Sequence, residues 1–253
     1  MIKHKPLAET TRLLIVYLAL TILLSGLSLY LAYAVPSGAT ISGTPSVDTG
    51  PTTTPSSRTD AGGRIITLVL DLEQQNNAWK AYVGNVTGTY VLKNSNNYSI
   101  YKWPTGTSIV GEVYISRSSS INWSNGAISC ATNAEMVAEQ NVFGMSGSDT
   151  DSINNTFNST NHTGFDVGTN TITQNTCPAI ATWVNDTSQT PSPTAVFQEV
   201  ALYDGTNFLY AAIINNDEYG FANGTRYDFQ AIVAENRTSS TGTTYYFYVE
   251  LGN

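Results

Sequence analysis

From residue 64 to the C-terminus, apolar and polar positions alternate with a period of two, in short runs rich in β-branched and aromatic residues and bounded by Gly, Asn and Asp. The stretch 64–72, RIITLVLDL, sets Ile66, Leu68, Leu70 and Leu72 on one side and Ile65, Thr67, Val69 and Asp71 on the other. The first set is expected to face a core. Further strands are predicted at 79–83, 86–92, 98–103, 109–117, 195–203, 208–214, 227–234 and 244–251. Gly84-Asn85 reads as the turn of a hairpin joining 79–83 to 86–92, and Asp204-Gly205 as a second hairpin turn, because Asp-Gly tolerates the positive φ that tight hairpins need. Successive strands with short polar turns predict a mainly β fold, an antiparallel β-sandwich of the immunoglobulin or jelly-roll kind.

Two stretches break the period. Residues 130–144, CATNAEMVAEQNVFG, form the one convincing helix of this region, with a stripe of Ala134, Val137, Ala138 and Val142 and a stop at Gly144. Residues 145–176 then form a polar excursion, too long for an ordinary loop in a compact domain.

The first sixty residues have a different character. Residues 1–12 form a short basic head, with Lys3, Lys5 and Arg12 opposed only by Glu9. Residues 13–34 carry no charge, and as a helix they span about 33 Å, enough for a hydrocarbon core of roughly 30 Å. The basic head keeps the N-terminus inside, so the chain beyond Val35 is exported. The apolar run exceeds the usual length of a signal peptide, which favours a retained membrane anchor. Ala32-Tyr33-Ala34 is nonetheless a small-x-small cleavage pattern, so both readings stand. Residues 35–63 are dominated by Pro, Ser, Thr and Gly and read as a flexible tether or glycosylated stalk. A sharper alternative makes 39–43, ATISG, a donor strand for a neighbouring subunit's sheet. The domain proper is then 64–253, large enough for one hydrophobic core.

Composition narrows the function classes. Charged residues are only 12% of the chain, and the net charge is −8. Removing the +2 of the basic head leaves −10 on everything after it, which makes nucleic acid an improbable partner. Two cysteines, Cys130 and Cys177, bracket the helix and the polar excursion. In an exported domain the simplest reading is a disulfide, closing a loop of about 48 residues and contributing roughly 4 kcal/mol. Nine Asn-x-Ser/Thr triplets begin at Asn85, Asn97, Asn122, Asn154, Asn158, Asn161, Asn185, Asn223 and Asn236, nearly all in predicted turns or in the excursion. Several are expected to carry N-linked glycans.

Signs of catalysis are weak. The domain's single histidine, His162, lies in the polar excursion and reads as a solvated loop residue. No Cys/His spacing for zinc and no Gly-rich phosphate loop is present, so no cofactor is expected. Asp149, Asp151 and Asn154 resemble the opening of an oxygen-ligand calcium loop but lack its later Glu and turn Gly. A solvated acidic turn is the plainer reading there, and Asp217-Glu218 is a second weak candidate. Glu112, Glu199 and Asp228 fall in predicted strands, where convergence would give a carboxylate pair for sugar hydrolysis. Trp79, Tyr82, Tyr90, Tyr101, Trp103, Tyr114, Trp123 and Trp183 supply either core and cross-strand pairs or a platform for sugar rings.

With WKAYVGNVTGTYVL, YSIYKWP, GEVYISR and SINWSNGAISC in view, the chain resembles uncharacterised archaeal exported proteins, which pair an N-terminal apolar segment with a β-sandwich. The resemblance covers 64–253 and is strongest in 79–130. It implies an extracellular, glycosylated β domain of the kind that builds surface coats and filaments, and it carries no catalytic residues. The layout of basic head, apolar helix and β-rich body is also pilin-like, although KHKPLAETTRLL lacks a pilin processing motif. The leading expectation is a non-enzymatic surface glycoprotein that associates with itself or with other surface proteins. A carbohydrate- or ligand-binding module is the alternative, and a secreted hydrolase ranks last.

Overall fold

The computed structural model describes residues 35–42, 57–63, 65–68, 76, 78–94, 96, 98–104, 109–222, 224–237 and 242–252. All belong to the unit Val35–Asn253. The basic head, the apolar segment 13–34, Asn97 and Asn223 lie outside them. Among the described residues no helix is long and apolar enough to cross a membrane.

The protein is mainly β, and among the described residues every strand pair is antiparallel. In chain order the strands are β1 (Ser37–Gly38), β2 (Trp79–Gly84), β3 (Thr89–Lys93), β4 (Ser99–Pro104), β5 (Gly111–Ser116) and β6 (Ser129–Cys130). Helices α1 (Asn133–Val142) and α2 (Ile153–Thr156) come next. After them lie β7 (Phe165–Val167), β8 (Asn170–Ile172), β9 (Ala179–Ala181), β10 (Gln198–Tyr203) and β11 (Phe208–Ile213). The chain ends with β12 (Glu218–Tyr219), β13 (Arg226–Tyr227), β14 (Phe229–Ala234) and β15 (Tyr246–Leu251).

The main sheet runs β1-β15-β5-β11-β10, and β6 and β9 share the outer edge of β10. Its central strands are buried on both faces, and the period of two sorts them into two cores. Val113, Ile115, Ala201, Tyr210 and Ala212 pack with Met136 and Phe143 at α1, Phe157 after α2, and Ala231 and Val233 of β14. Tyr114, Val200, Leu202, Leu209, Ala211 and Tyr248 face the other way, onto Phe165, Val167 and Ile172 of the β7–β8 hairpin. Asp204-Gly205 makes the predicted turn: Tyr203 pairs with Phe208, and Gly205 takes φ 88°.

Three expectations are corrected. Gly84-Asn85 is not a hairpin turn: β2 pairs with β14, and β3 with β4. Neither residue takes the positive φ a tight hairpin turn needs. Instead the Asp228 carboxylate accepts the Val86 N–H (2.8 Å), and Val86 is buried. The described part of the predicted 64–72 strand, 65–68, is not a strand, and Ile65 and Leu68 are exposed. Helix α1 forms where expected, opened by a capping box between Thr132 and Glu135, but it buries Met136, Glu139 and Gln140. Ala134, Ala138 and Val142 face solvent. Glu139 faces inward because Arg117 meets it with two hydrogen bonds, of 2.8 and 2.7 Å, from a guanidinium lying over the Phe143 ring.

Candidate functional site

The polar excursion is ordered around two hubs. The first is the Cys130–Cys177 disulfide, which ties β6, ahead of α1, to the segment entering β9. Beside it lies His162, fully buried rather than solvated as the sequence suggested. Its Nδ1 sits 2.5 Å from the Thr163 carbonyl, and its Nε2 accepts the N–H groups of Thr176 (3.2 Å) and Cys177 (3.0 Å). One donor and one acceptor nitrogen are therefore required, which is the neutral imidazole with its proton on Nδ1. Burial pulls the ring's proton affinity below the ordinary 6.5, against the opposing pull of the Thr163 carbonyl. With every ring nitrogen engaged by backbone, His162 is a structural staple and carries no catalytic geometry.

The second hub is Arg237. Its guanidinium pairs with the carboxylates of Asp149 (3.0 Å) and Asp151. The positive charge these two acids face is thus a side chain, whereas the calcium-loop reading placed a metal there. Asn154 takes no part: its backbone N–H donates to Gln140 Oε1 (3.3 Å). Asp217 takes a left-handed φ of 55° in the turn before β12. Among the described residues no group of three or more His, Cys, Asp or Glu side chains is placed to hold a metal ion.

The three strand carboxylates do not converge. Glu199 shares the face of Val113 and Ala212, through its register with Ala212, whereas Glu112 lies on the opposite face. Glu199 is fully buried: its Oε2 accepts the Ile232 N–H (2.9 Å) and its Oε1 has no partner. Burial lifts it well above the carboxylate range, so it sits there as the neutral acid. Asp228 organises backbone, accepting from Val86 N–H and Asp217 N–H.

A carboxylate pair does form, between Glu112 and Glu250, the second of which the sequence did not single out. Glu112 and Glu250 are directly opposed in the β5–β15 register, with Tyr114 between them on the same face. The Tyr114 hydroxyl lies 3.1 Å from Glu250 Oε2 and 3.5 Å from Glu112 Oε2. Glu250 also accepts the Gly168 N–H on both oxygens (2.9 and 3.1 Å). Burial, then the charges of Glu250 and Asp166, push Glu112 from 4.5 up to about 8. Burial raises Glu250 as well, but the Gly168 and Tyr114 hydrogen bonds oppose it. Glu112, titrating at about 8, therefore keeps its proton at neutral pH, and the Gly168 and Tyr114 hydrogen bonds favour the charge of the pair on Glu250. Both are more than nine-tenths buried beneath the β7–β8 hairpin, which leaves no room for a sugar between them.

The aromatic residues divide clearly. Tyr114 is buried, Trp123 packs 5.3 Å from both Tyr114 and Tyr248, and Trp79 packs against Phe157. Trp183 is 54% exposed; Tyr219 and Phe221 of the β12–β13 hairpin, which the sequence had not marked, are also exposed, and Gln230 bonds the Trp183 carbonyl and the Phe221 N–H. Of the acceptor asparagines, Asn85, Asn122, Asn158, Asn161 and Asn185 are exposed, while Asn154 and Asn236 are half-buried. An open groove of about 460 Å³ between α1 and the β10–β11 turn is lined by Arg117, Glu135, Val142, Tyr203 and Asn207. It holds no pairing of a nucleophile with a base.

No protein-family model, no curated protein and no solved structure matches this chain.

Proposed function

We propose that this protein is an exported, glycosylated structural component of the cell surface, a subunit of a filament or coat. It would be delivered through the apolar segment 13–34, held on the tether 35–63, and would have no catalytic role. The archaeal resemblance of residues 79–130 supports the same location. On this reading the fold is a β-sandwich, and what supports that is the β2–β14 ribbon packed with the helices over one face of the main sheet.

The observation that carries the proposal is the first strand. Ser37–Gly38, from the segment that reads as tether, pairs with Val249 and Tyr248 at the β15 edge, and Ala39 N–H donates to the Phe247 carbonyl (2.8 Å). The main sheet is therefore completed by the part of the chain nearest the apolar segment. A strand so remote in sequence from its edge, with 207 residues between Gly38 and Tyr246, is suited to serve a second copy as readily as its own.

Electron microscopy of the purified full-length protein tests the proposal, and ordered polymers are expected. Ala39→Pro removes the N–H that bonds Phe247 and should abolish the polymers while the domain still folds. A monodisperse wild-type monomer that binds glycans would instead establish the ligand-binding reading, which the exposed Trp183 favours.

A further inference from the structure

Trp183, Tyr219 and Phe221 are exposed, and hydrogen bonds bring the Trp183 and Gly220-Phe221 segments together at one acceptor asparagine. Trp183 to Thr187 read Trp-Val-Asn-Asp-Thr, so the triplet at Asn185 begins two residues after the tryptophan. Val184 and Thr187 exchange both backbone hydrogen bonds (2.9 Å each), and Asn185 and Asp186 both take positive φ, 48° and 57°. This is the tightest hairpin turn, and it lifts the Asn185 side chain to the surface. The Asn185 and Asp186 N–H groups then donate to the Gly220 and Phe221 carbonyls (2.8 Å each), which seats the turn against the aromatic segment.

The rim is braced from beneath. Buried Gln230 donates from Nε2 to the Trp183 carbonyl (2.8 Å) and accepts the Phe221 N–H on Oε1 (2.7 Å), clamping both segments. The Phe221 ring lies parallel to Tyr227 at 6.3 Å, and the Arg226 guanidinium sits 3.9 Å over Tyr219. At Gly220 an added Cβ would come within 2.3 Å of the Tyr227 ring, so glycine is what lets the strand approach that closely. Fixed, half-exposed rings of this kind suit the apolar C–H face of a pyranose. Two of the other exposed acceptors differ. Asn158 uses its amide on the Asn155 carbonyl (2.8 Å), and Asn122 Oδ1 accepts the Ser124 N–H (3.1 Å). The Asn185 amide makes no hydrogen bond among the described residues.

We propose that Asn185 carries an N-linked glycan whose first sugar rests on Trp183 and Phe221, covering the aromatic rim. The proposal rests on the export argued above. In the transfer, the Asn185 amide nitrogen attacks C1 of a sugar carried on a polyprenyl phosphate or diphosphate. The C1–N bond forms, the C1–O bond to phosphate breaks, the lipid phosphate leaves with the electron pair, and a base of the host's transferase takes the amide proton.

Two measurements on the full chain, purified from a host that N-glycosylates exported proteins, test it. Glycopeptide mass spectrometry reads occupancy at Asn185, and N-bromosuccinimide oxidation reads the accessibility of Trp183. Occupancy is expected, together with Trp183 oxidation about twofold slower than in Thr187→Ala, since a stacked sugar covers one face of the ring. Occupied and unoccupied glycoforms of one wild-type preparation give the same comparison if the variant misfolds. An empty Asn185 beside other occupied acceptors overturns this inference alone, and a chain with no glycan anywhere overturns it together with the export reading. Equal oxidation of Trp183 in both forms overturns the stacking and leaves the rim free for a ligand supplied from outside.

Discussion

Glu112→Gln should make the protein more stable at alkaline pH and flatten its pH dependence. In the folded state the Glu112 carboxyl titrates at about 8 instead of 4.5, so the folded protein holds a proton that the unfolded chain releases. A folded pKa above the unfolded one contributes stability that is complete below 4.5 and lost as pH rises through about 8. The shift from 4.5 to about 8 corresponds to a ceiling of about 5 kcal/mol, at 1.36 kcal/mol per pKa unit. Set against a typical domain stability of roughly 5–15 kcal/mol, that is a large share. Glutamine keeps the shape of the neutral acid and cannot ionise. Urea titrations at pH 4.5 and pH 9 should therefore find wild type and variant alike at the lower pH. At the higher pH the variant should be ahead by several kcal/mol, with Glu250 keeping its Gly168 and Tyr114 hydrogen bonds. Equal slopes for the two proteins across this range would refute the assignment of the proton to Glu112. A variant weaker than wild type at pH 9 would refute it more strongly.

His162 gives the opposite sign. Its folded pKa is lowered, so its contribution is present above 6.5 and is lost as pH falls through the folded value. His162→Ala, which orphans the Thr176 and Cys177 N–H groups, should cost about 2–5 kcal/mol by denaturant titration at pH 7.5. Reduction of Cys130–Cys177, or the double serine variant, should lower stability by about 4 kcal/mol and expose the β7–β8 hairpin to protease first. Arg237→Ala should shift stability by no more than about 1 kcal/mol, because the three groups of this network are each roughly a third exposed. Chelator should leave the wild-type melting temperature unchanged; a calcium-dependent rise would show that a metal shares the Asp149 and Asp151 carboxylates.

The sequence showed the long strands because each spans at least two full periods of alternation. β5, β10, β11, β14 and β15 are six residues apiece, and all were predicted within three residues of their ends. What stayed hidden depended on partners far along the chain. β7, β8 and β9 are three residues each, too short to display a period, and they are strands because a sheet and a disulfide lie beside them. Helix α1 presented an apolar stripe that proved to be its outer face, since Arg117, 22 residues away, makes Glu139 buriable. Gly84-Asn85 had the composition of a turn, but a carboxylate 142 residues from Val86 captures the chain there and holds β2 to β14. The Glu112–Glu250 pair needed the β5–β15 register, which no local pattern discloses. Local chemistry was readable; long-range satisfaction of polar groups was not.

The same distinction bears on the edge of the main sheet. Strand β1 joins β15 mainly through backbone: Ser37 and Gly38 are exposed and bring no apolar side chain to a core, and only Pro36 just ahead of them is buried. A pairing held by two residues of ladder has little to fix its register and little to prefer its own chain. Beyond it an unpaired β15 edge would be a template for another strand, a hazard that proteins manage by covering it. Here the cover comes from a Pro- and Thr-rich segment with too few apolar residues to aggregate by itself. Weak side-chain specificity at a covered edge is unhelpful to a solitary monomer, whose first strand would fray. On the proposed reading it would serve an assembly in which many copies, held at high local concentration by their tethers, present the same strand to the same edge.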